Sequence, residues 1–122
     1  MGIPQLLTPP YYFNILLGNI ASAQASLLHV AAIVNDLPPD SVWCLGGIGA
    51  AQLPMNSLGL AMGHGVRVGL EDNLWWDEAR TRLASNLELV QRVAALAKLL
   101  GKPPATPVQT RQYLGLLPAK LL

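Results

Sequence analysis

The segment Val66-Arg67-Val68-Gly69-Leu70-Glu71-Asp72-Asn73 begins as an alternating strand and ends in a cluster of polar groups. Aliphatic residues occupy every second position, a period that predicts a strand with one apolar face. Arg67 and Glu71 lie on the other face, where an unpaired charge would be costly to bury. The two ions therefore either pair with each other or face a site. Asp72 and Asn73 follow where the strand is expected to end.

Periodicity and turn signals predict alternating strands and helices, and this order indicates a parallel α/β sheet. Three strands are too few to close an eight-stranded barrel, whose chemistry lies at the C-terminal ends of the strands. Residues 1–122 are therefore expected to form one segment with two unpaired parallel edges, which invite pairing with another chain. The predicted strands cover about 11–17, 41–45 and 65–71, and the predicted helices about 22–35, 54–62, 86–100 and 107–114.

Polar residues predict where the helices begin. Ser22 is the predicted N-cap of the first helix. Ser85 with Glu88, and Thr106 with Gln109, have the spacing of capping boxes. Asn14 is the polar residue of the first strand; it is interpreted as a core amide bonded to neighbouring backbone, with a role in a site as the alternative.

Composition argues against several classes of function. The 122 residues are 52% hydrophobic and 12% charged, with a net charge of +1. The sequence therefore lacks the excess of positive charge that is typical of nucleic-acid-binding proteins. The single cysteine, Cys44, fits a reducing, cytoplasmic compartment. Residues 2–35 carry no charged side chain, but polar residues interrupt them before an apolar run reaches the roughly 18 residues of a membrane span.

Two further stretches admit both a structural and a functional interpretation. Gly46, Gly47 and Gly49 follow the second strand and form either a tight strand-to-helix turn or a contact to a phosphate or thioester. They lack the Lys-Ser/Thr of a P-loop. Trp75 and Trp76, after the acidic cluster, either wall a pocket or pack against a helix or another subunit.

The sequence resembles the β-keto acid cleavage enzymes, a family of zinc-dependent (β/α)8 TIM-barrel proteins. The resemblance covers about residues 10–116 and corresponds to the C-terminal portion of such an enzyme, three βα units and a final short helix. Residues 67–73 resemble the motif of the last strand. The other matching segments are residues 43–49, 51–55, 85–90 and 105–107.

The resemblance implies a role for each charged residue of the first segment. Glu71 matches a zinc-ligand carboxylate, Asp72 the acid that removes a proton beside the keto group, and Arg67 the arginine linked to that acid and to the keto acid. The implied reaction converts a β-keto acid and acetyl-CoA to acetoacetate and a new acyl-CoA ester. Zinc would polarise the keto carbonyl and a carboxylate would act as base. Asn73 and Trp75 are expected in the substrate pocket.

The histidines depart from the family pattern. The family's other zinc ligands form a His-x-His pair, whereas His29 and His64 of this chain are far apart in sequence. A strand of roughly 20 Å separates His64 from Glu71, so a metal shared by these two is rejected. Three hypotheses follow: an enzyme segment that needs a complementing N-terminal barrel chain, a non-catalytic remnant that self-associates into a homo-oligomer, and a small membrane-associated protein.

Overall fold

Parallel strands and helices alternate along the chain in the computed structural model, which describes residues 7–117. Within this range three strands form one sheet in the order β1-β2-β3. The predicted parallel α/β class is confirmed, and the sheet is consistent with part of a (β/α)8 barrel. The strands are β1 (Tyr11–Leu17), β2 (Ser41–Gly47) and β3 (Gly65–Val66), and the helices are α1 (Leu27–Asn35), α2 (Gln52–Met62), α3 (Asn86–Leu99) and α4 (Pro107–Tyr113), with a 3-10 turn at Gly49–Ala51.

The core lies between the sheet and the helices on one of its faces. Leu17 of β1 and Leu45 of β2 are fully buried and pack with Val30 of α1 and Met55 of α2. Burying a side chain of this size contributes about 1.5–3 kcal/mol, so these contacts fix the helices on this face. A second cluster joins α2 to α3 and includes Leu60, Val66, Val68, Val93 and Ala97.

The opposite face of the sheet is more open. Tyr12 is 50% exposed, and its hydroxyl donates to Asn14 Oδ1 at 3.3 Å. Asn14 is also exposed, so its interpretation as a core amide is wrong. The reason is that successive strand residues point to opposite faces, and Asn14 lies on the face away from the helices. In a closed barrel this face is the interior.

The third strand is much shorter than predicted. The prediction of a strand to residue 71 is wrong, because β3 ends at Val66. Arg67 N still donates to Leu45 O at 3.0 Å, but the chain then turns. Asp72 N and Asn73 N both donate to Gly69 O, at 3.2 and 3.3 Å, and this turn is incompatible with an extended strand. Valines 66 and 68 nevertheless pack on one apolar cluster, as the alternation predicted.

The helix starts differ from the prediction at two places. The N-cap of α1 is Ser26, whose hydroxyl accepts from His29 N at 3.3 Å, whereas Ser22 closes a preceding turn with Asn19. Helix α2 begins at Gln52, before the predicted start at Pro54, because a 3-10 turn leads directly into it.

Other boundaries agree more closely with the sequence pattern. Strand β2 continues two residues beyond the predicted end, to Gly47, and α3 and α4 each end one residue early. Both predicted capping boxes are present, Ser85 with Glu88 and Thr106 with Gln109. Among residues 7–117, no helix is both long enough and apolar enough to cross a membrane.

Candidate functional site

Arg67 and Asp72 form a two-point ion pair just beyond the end of β3. Arg67 Nε donates to Asp72 Oδ2 at 2.9 Å, and Arg67 Nη2 donates to Asp72 Oδ1 at 3.1 Å. The Asp72 side chain is only 3% exposed, whereas that of Arg67 is 35% exposed. The hydrogen bonds and charge of Asp72 raise the pKa of Arg67 above its ordinary value. Paired contacts of this kind fix the plane of the guanidinium relative to the carboxylate.

Glu71 is a secondary partner of the same arginine. Arg67 Nη2 donates to Glu71 Oε2 at 3.2 Å, and the Glu71 side chain is 86% exposed. The sequence predicted that Arg67 and Glu71 either pair or face a site, and the two do pair; the principal partner of Arg67 is nevertheless Asp72, the acid to which the resemblance linked it. The turn at Gly69 explains this, because it brings the residue after Glu71 back beneath the arginine. An exposed ion pair of this kind adds little stability. Because its side chain is exposed, Glu71 is accessible to a ligand.

Two buried amides of α2 hold the backbone of this segment, and sequence reasoning did not single them out. Asn56 Nδ2 donates to Leu45 O at 3.0 Å and to Arg67 O at 2.8 Å. Gln52 Nε2 donates to Gly69 O at 3.0 Å. Both side chains are 0% exposed. The available signal was their spacing of four residues, which places two amides on the face of α2 that also carries buried apolar residues.

The glycine-rich loop after β2 packs as a tight strand-to-helix turn. Ile48 N donates to Leu17 O at 3.0 Å and Gly49 N to Asp72 O at 2.7 Å, so these amides connect β1 with the Arg67–Asp72 segment. A Cβ at Gly46 would lie 3.1 Å from Arg67 Cβ, and one at Gly47 only 2.8 Å from the backbone N of Gln52. Close packing accounts for both glycines, and the suggested phosphate or thioester contact remains a prediction.

Asn73 and Trp75 shape the loop that follows the ion pair. Asn73 Oδ1 accepts from Trp75 N at 3.0 Å, and Asn73 Nδ2 donates to Trp75 O at 2.7 Å. Trp75 also forms an antiparallel bridge with Leu83. Both residues line a cleft of about 320 Å³ against α2 and a shallower depression of about 210 Å³ that includes Glu71 and Asp72. They lie beside the ion pair, and their role in a substrate pocket remains a prediction.

Two arginines form cation–π contacts with the ring of Trp76. The guanidinium carbons of Arg82 and Arg92 lie 4.7 and 4.6 Å from the centre of its ring. Arg92 Nη1 also donates to Trp76 O at 2.8 Å. Cation–π contacts with two arginines favour the packing interpretation for this tryptophan.

The residues present do not by themselves form a zinc site. Catalytic zinc usually has three protein ligands, and within residues 7–117 no three His, Cys, Asp or Glu side chains converge. Of the two carboxylates that contact Arg67, Asp72 is buried against the guanidinium and Glu71 is exposed. His64 Nδ1 accepts from Trp43 N at 3.1 Å, and His29 Nδ1 accepts from Gln24 N at 2.9 Å. Both histidines thus hold backbone elsewhere in the fold.

Known proteins match most of this chain. The family model described as beta-keto acid cleavage enzyme matches residues 2–116. The 3-keto-5-aminohexanoate cleavage enzyme of Fusobacterium nucleatum is 42% identical over 107 residues, which are 88% of this chain and 38% of that protein. The 3,5-dioxohexanoate:acetyl-CoA acetone transferase of Paraburkholderia graminis is 33% identical over 115 residues, 91% of this chain and 37% of that protein.

A shorter match has higher identity. The 3-oxoadipate:acetyl-CoA acetyltransferase of Cupriavidus necator is 46% identical over 80 residues, 66% of this chain and 28% of that protein. The chain therefore spans well under half the length of the curated relatives it matches. The matched residues include the ion pair, the glycine-rich loop and α2. Both the sequence motif and these matches lead to one conclusion: the chain belongs to the β-keto acid cleavage enzyme family.

Proposed function

We propose that this chain supplies the C-terminal three βα units of an enzyme that converts a β-keto acid and acetyl-CoA to acetoacetate and a new acyl-CoA ester. The observation that carries the proposal is the Arg67–Asp72 pair with Glu71 exposed beside it, just beyond a strand of the parallel sheet in a chain of this family. The relatives are named for different keto acids, which supports the substrate class and leaves the individual acid open.

Asp72 is the proposed base that removes the proton beside the keto group. A carboxylate offers about four acceptor positions, and Arg67 donates to one position on each of the two oxygens of Asp72. Acceptor capacity therefore remains for a substrate proton. A general base must be held within hydrogen-bond reach of that proton, and the paired contact with Arg67 restricts the orientation of the carboxylate.

Arg67 is the proposed contact for the carboxylate of the keto acid. Its bonds to Asp72 and Glu71 use Nε and Nη2. A guanidinium has five N–H donors, so within residues 7–117 the two on Nη1 have no protein acceptor and can bind a ligand, and the side chain is partly exposed. Arginine is well suited to this role because its donors match the geometry of a carboxylate.

We further propose that the rest of the barrel comes from a longer polypeptide or from a complementing N-terminal chain. Three of eight barrel strands is about 38%, and the chain covers 38% of the Fusobacterium nucleatum relative. Within residues 7–117, β1 and β3 are the outer strands of the sheet and each pairs with β2 as its one neighbouring strand, so a further strand can be added at either side. Glu71 is proposed to contribute one ligand to a zinc site that the missing strands complete. The single cysteine supports a cytoplasmic location.

The test is to purify the chain from its own host under native conditions, together with any polypeptide that accompanies it. The preparation is incubated with acetyl-CoA and either 3-oxoadipate or 3-keto-5-aminohexanoate, and acetoacetate and the new CoA ester are measured by mass spectrometry. We expect both products to appear together and to disappear in Asp72→Asn. Products that persist at the wild-type rate in Asp72→Asn contradict the assignment of the base.

A self-associating, non-catalytic module is the second candidate. It is favoured by the free sheet edges and by large apolar side chains on the surface of the described residues, such as Leu27 at 72% and Leu28 at 75% exposure. Native mass spectrometry separates the two candidates. A metal-free homo-oligomer that forms no acetoacetate supports the module, whereas a second polypeptide with bound zinc supports the enzyme.

A further inference from the structure

Building on the proposed function, we infer that Asn56 and Gln52 of α2 are positioning residues for the Arg67–Asp72 pair. Among residues 7–117, neither side chain forms a hydrogen bond with the Asp72 side chain or the Arg67 guanidinium. They bond instead to the backbone of Arg67 and Gly69, on either side of Val68. Their action on the reaction would therefore pass through the placement of the ion pair.

The inference starts from the early end of β3. The last Cα pairing between β2 and β3 joins Leu45 and Val66, and one further backbone bond joins Arg67 N to Leu45 O before the chain turns. Asn56 bridges the sheet and the chain that leaves it, because its Nδ2 donates both to Leu45 O and to Arg67 O. The side chain thus adds to the backbone bond between Arg67 N and Leu45 O, and it holds the carbonyl side of the backbone from which the guanidinium extends.

Gln52 acts one turn earlier on the same helix. Its Nε2 donates to Gly69 O, which also accepts from Asp72 N and Asn73 N. Gly69 O is therefore the centre of the turn that returns Asp72 beneath Arg67. Since Gln52 and Asn56 belong to one helix, the backbone of Arg67 and the turn that carries Asp72 are both hydrogen-bonded to α2.

Stability alone does not account for these amides. Both side chains are fully buried, and neither Asn56 Oδ1 nor Gln52 Oε1 has a hydrogen-bond donor among residues 7–117. A buried acceptor without a donor is destabilising, and an apolar side chain of similar size would avoid that penalty. The bonds that the amides do make all go to the backbone of β2 and of the Arg67–Gly69 segment.

The test measures hydrogen exchange of the Arg67 Nε–H, the group that donates to Asp72, in the whole chain by ¹⁵N NMR. Asn56→Leu removes the bonds to Leu45 O and Arg67 O, and we expect the Arg67 Nε–H to exchange about tenfold faster, which corresponds to about 1.4 kcal/mol. Gln52→Leu should have a smaller effect, because Gly69 O keeps two backbone donors. Gln91→Leu, the same kind of change on an exposed position of α3, is the matched control.

The backbone amides of Leu17 and Leu89, both fully buried, report general loss of stability in the same spectra. Acceleration of the Arg67 Nε–H beyond that of these amides supports the inference. Equal acceleration, or none, overturns it and leaves a structural role only. If Asn56→Leu does not fold, Asn56→Ala and Gln52→Leu give the same comparison.

An activity measurement links the placement to catalysis. In the acetoacetate-forming preparation, Asn56→Leu should lower kcat much more than it changes KM for acetyl-CoA, because the base is displaced while the CoA contacts remain. A lower kcat/KM caused by KM alone would overturn the catalytic part of the inference. If wild type forms no acetoacetate, the proposed function fails, and the NMR comparison still decides whether the amides position the pair.

Discussion

Substitution of Gly47 and of Gly49 by alanine separates a packing role of the glycine loop from a ligand-binding role. A Cβ at Gly47 would lie 2.8 Å from Gln52 N and closer still to the carbonyl of Ala51. Those atoms are backbone, so the start of α2 must move to make room. Overpacking of this kind costs about 1–3 kcal/mol, and the backbone contacts place the expected loss at about 2–3 kcal/mol.

Gly49, two residues further along the chain, is the matched control. A Cβ there meets no atom within 4 Å, but its φ of +57° lies in the left-handed region. That backbone strain costs a residue with a side chain about 1 kcal/mol. The expected order of stability is therefore wild type, then Gly49→Ala, then Gly47→Ala, with the larger loss at the position that is sterically closed.

Urea denaturation followed by circular dichroism measures both losses as free energies of unfolding. A loss of about 2–3 kcal/mol is a large part of the 5–15 kcal/mol total of an ordinary domain, so the two variants are readily distinguished. Gly47→Ala within about 0.5 kcal/mol of wild type would refute the close packing of this turn. In active preparations, a KM for acetyl-CoA raised about tenfold by Gly49→Ala would favour the ligand contact over the purely structural turn.

Three shorter predictions concern charge and burial. Arg67→Lys should lower kcat/KM about 100-fold while the chain stays folded, because lysine cannot make the two-point contact with Asp72; activity within a few-fold of wild type would contradict this. The hydrogen bond from Arg82 is the largest of the causes that lower the pKa of Glu88 from 4.5 to about 2. The stabilising contribution of Glu88 is therefore present above pH 4.5 and is lost as the pH falls towards 2. Glu88→Gln should flatten the dependence of the unfolding free energy on pH in that window, and an unchanged slope would count against the pair. Burial raises the pKa of Cys44, so a thiol reagent at pH 8 should react more slowly with the folded chain than with the urea-unfolded chain, and equal rates would show that the thiol is accessible.

Local chemistry explains what was predictable from the sequence. The capping boxes at Ser85 and Thr106 depend on residues three positions apart, and the structure contains both. Alternation of strands with helices predicted the parallel α/β class, because a parallel connection needs a crossover and each crossover here has the length and apolar pattern of a helix. The motif around Arg67 was long enough to indicate the family, which the comparisons confirm.

The parts of the candidate site that were missed depend on contacts between distant segments. The alternation placed Arg67 and Glu71 on one strand face and the resemblance linked Arg67 to Asp72, but neither predicted the turn at Gly69 that brings Asp72 to the arginine. The amide of Asn56 is an ordinary helix residue in the sequence, and its function as a support appears only when α2 lies against Leu45 and Arg67.

The amino-acid sequence by itself therefore determined the fold class, the helix caps at Ser85 and Thr106, and the residue types gathered at the end of the third strand. The tertiary structure decided where β3 ends, which carboxylate Arg67 binds, and that Asn14 is exposed. The physical reason is the distance along the chain over which each interaction acts. Caps and periodicity act within a few residues of the chain, whereas burial and buried hydrogen bonds, such as those from Asn56 to Leu45 and Arg67, depend on which distant segments share a surface.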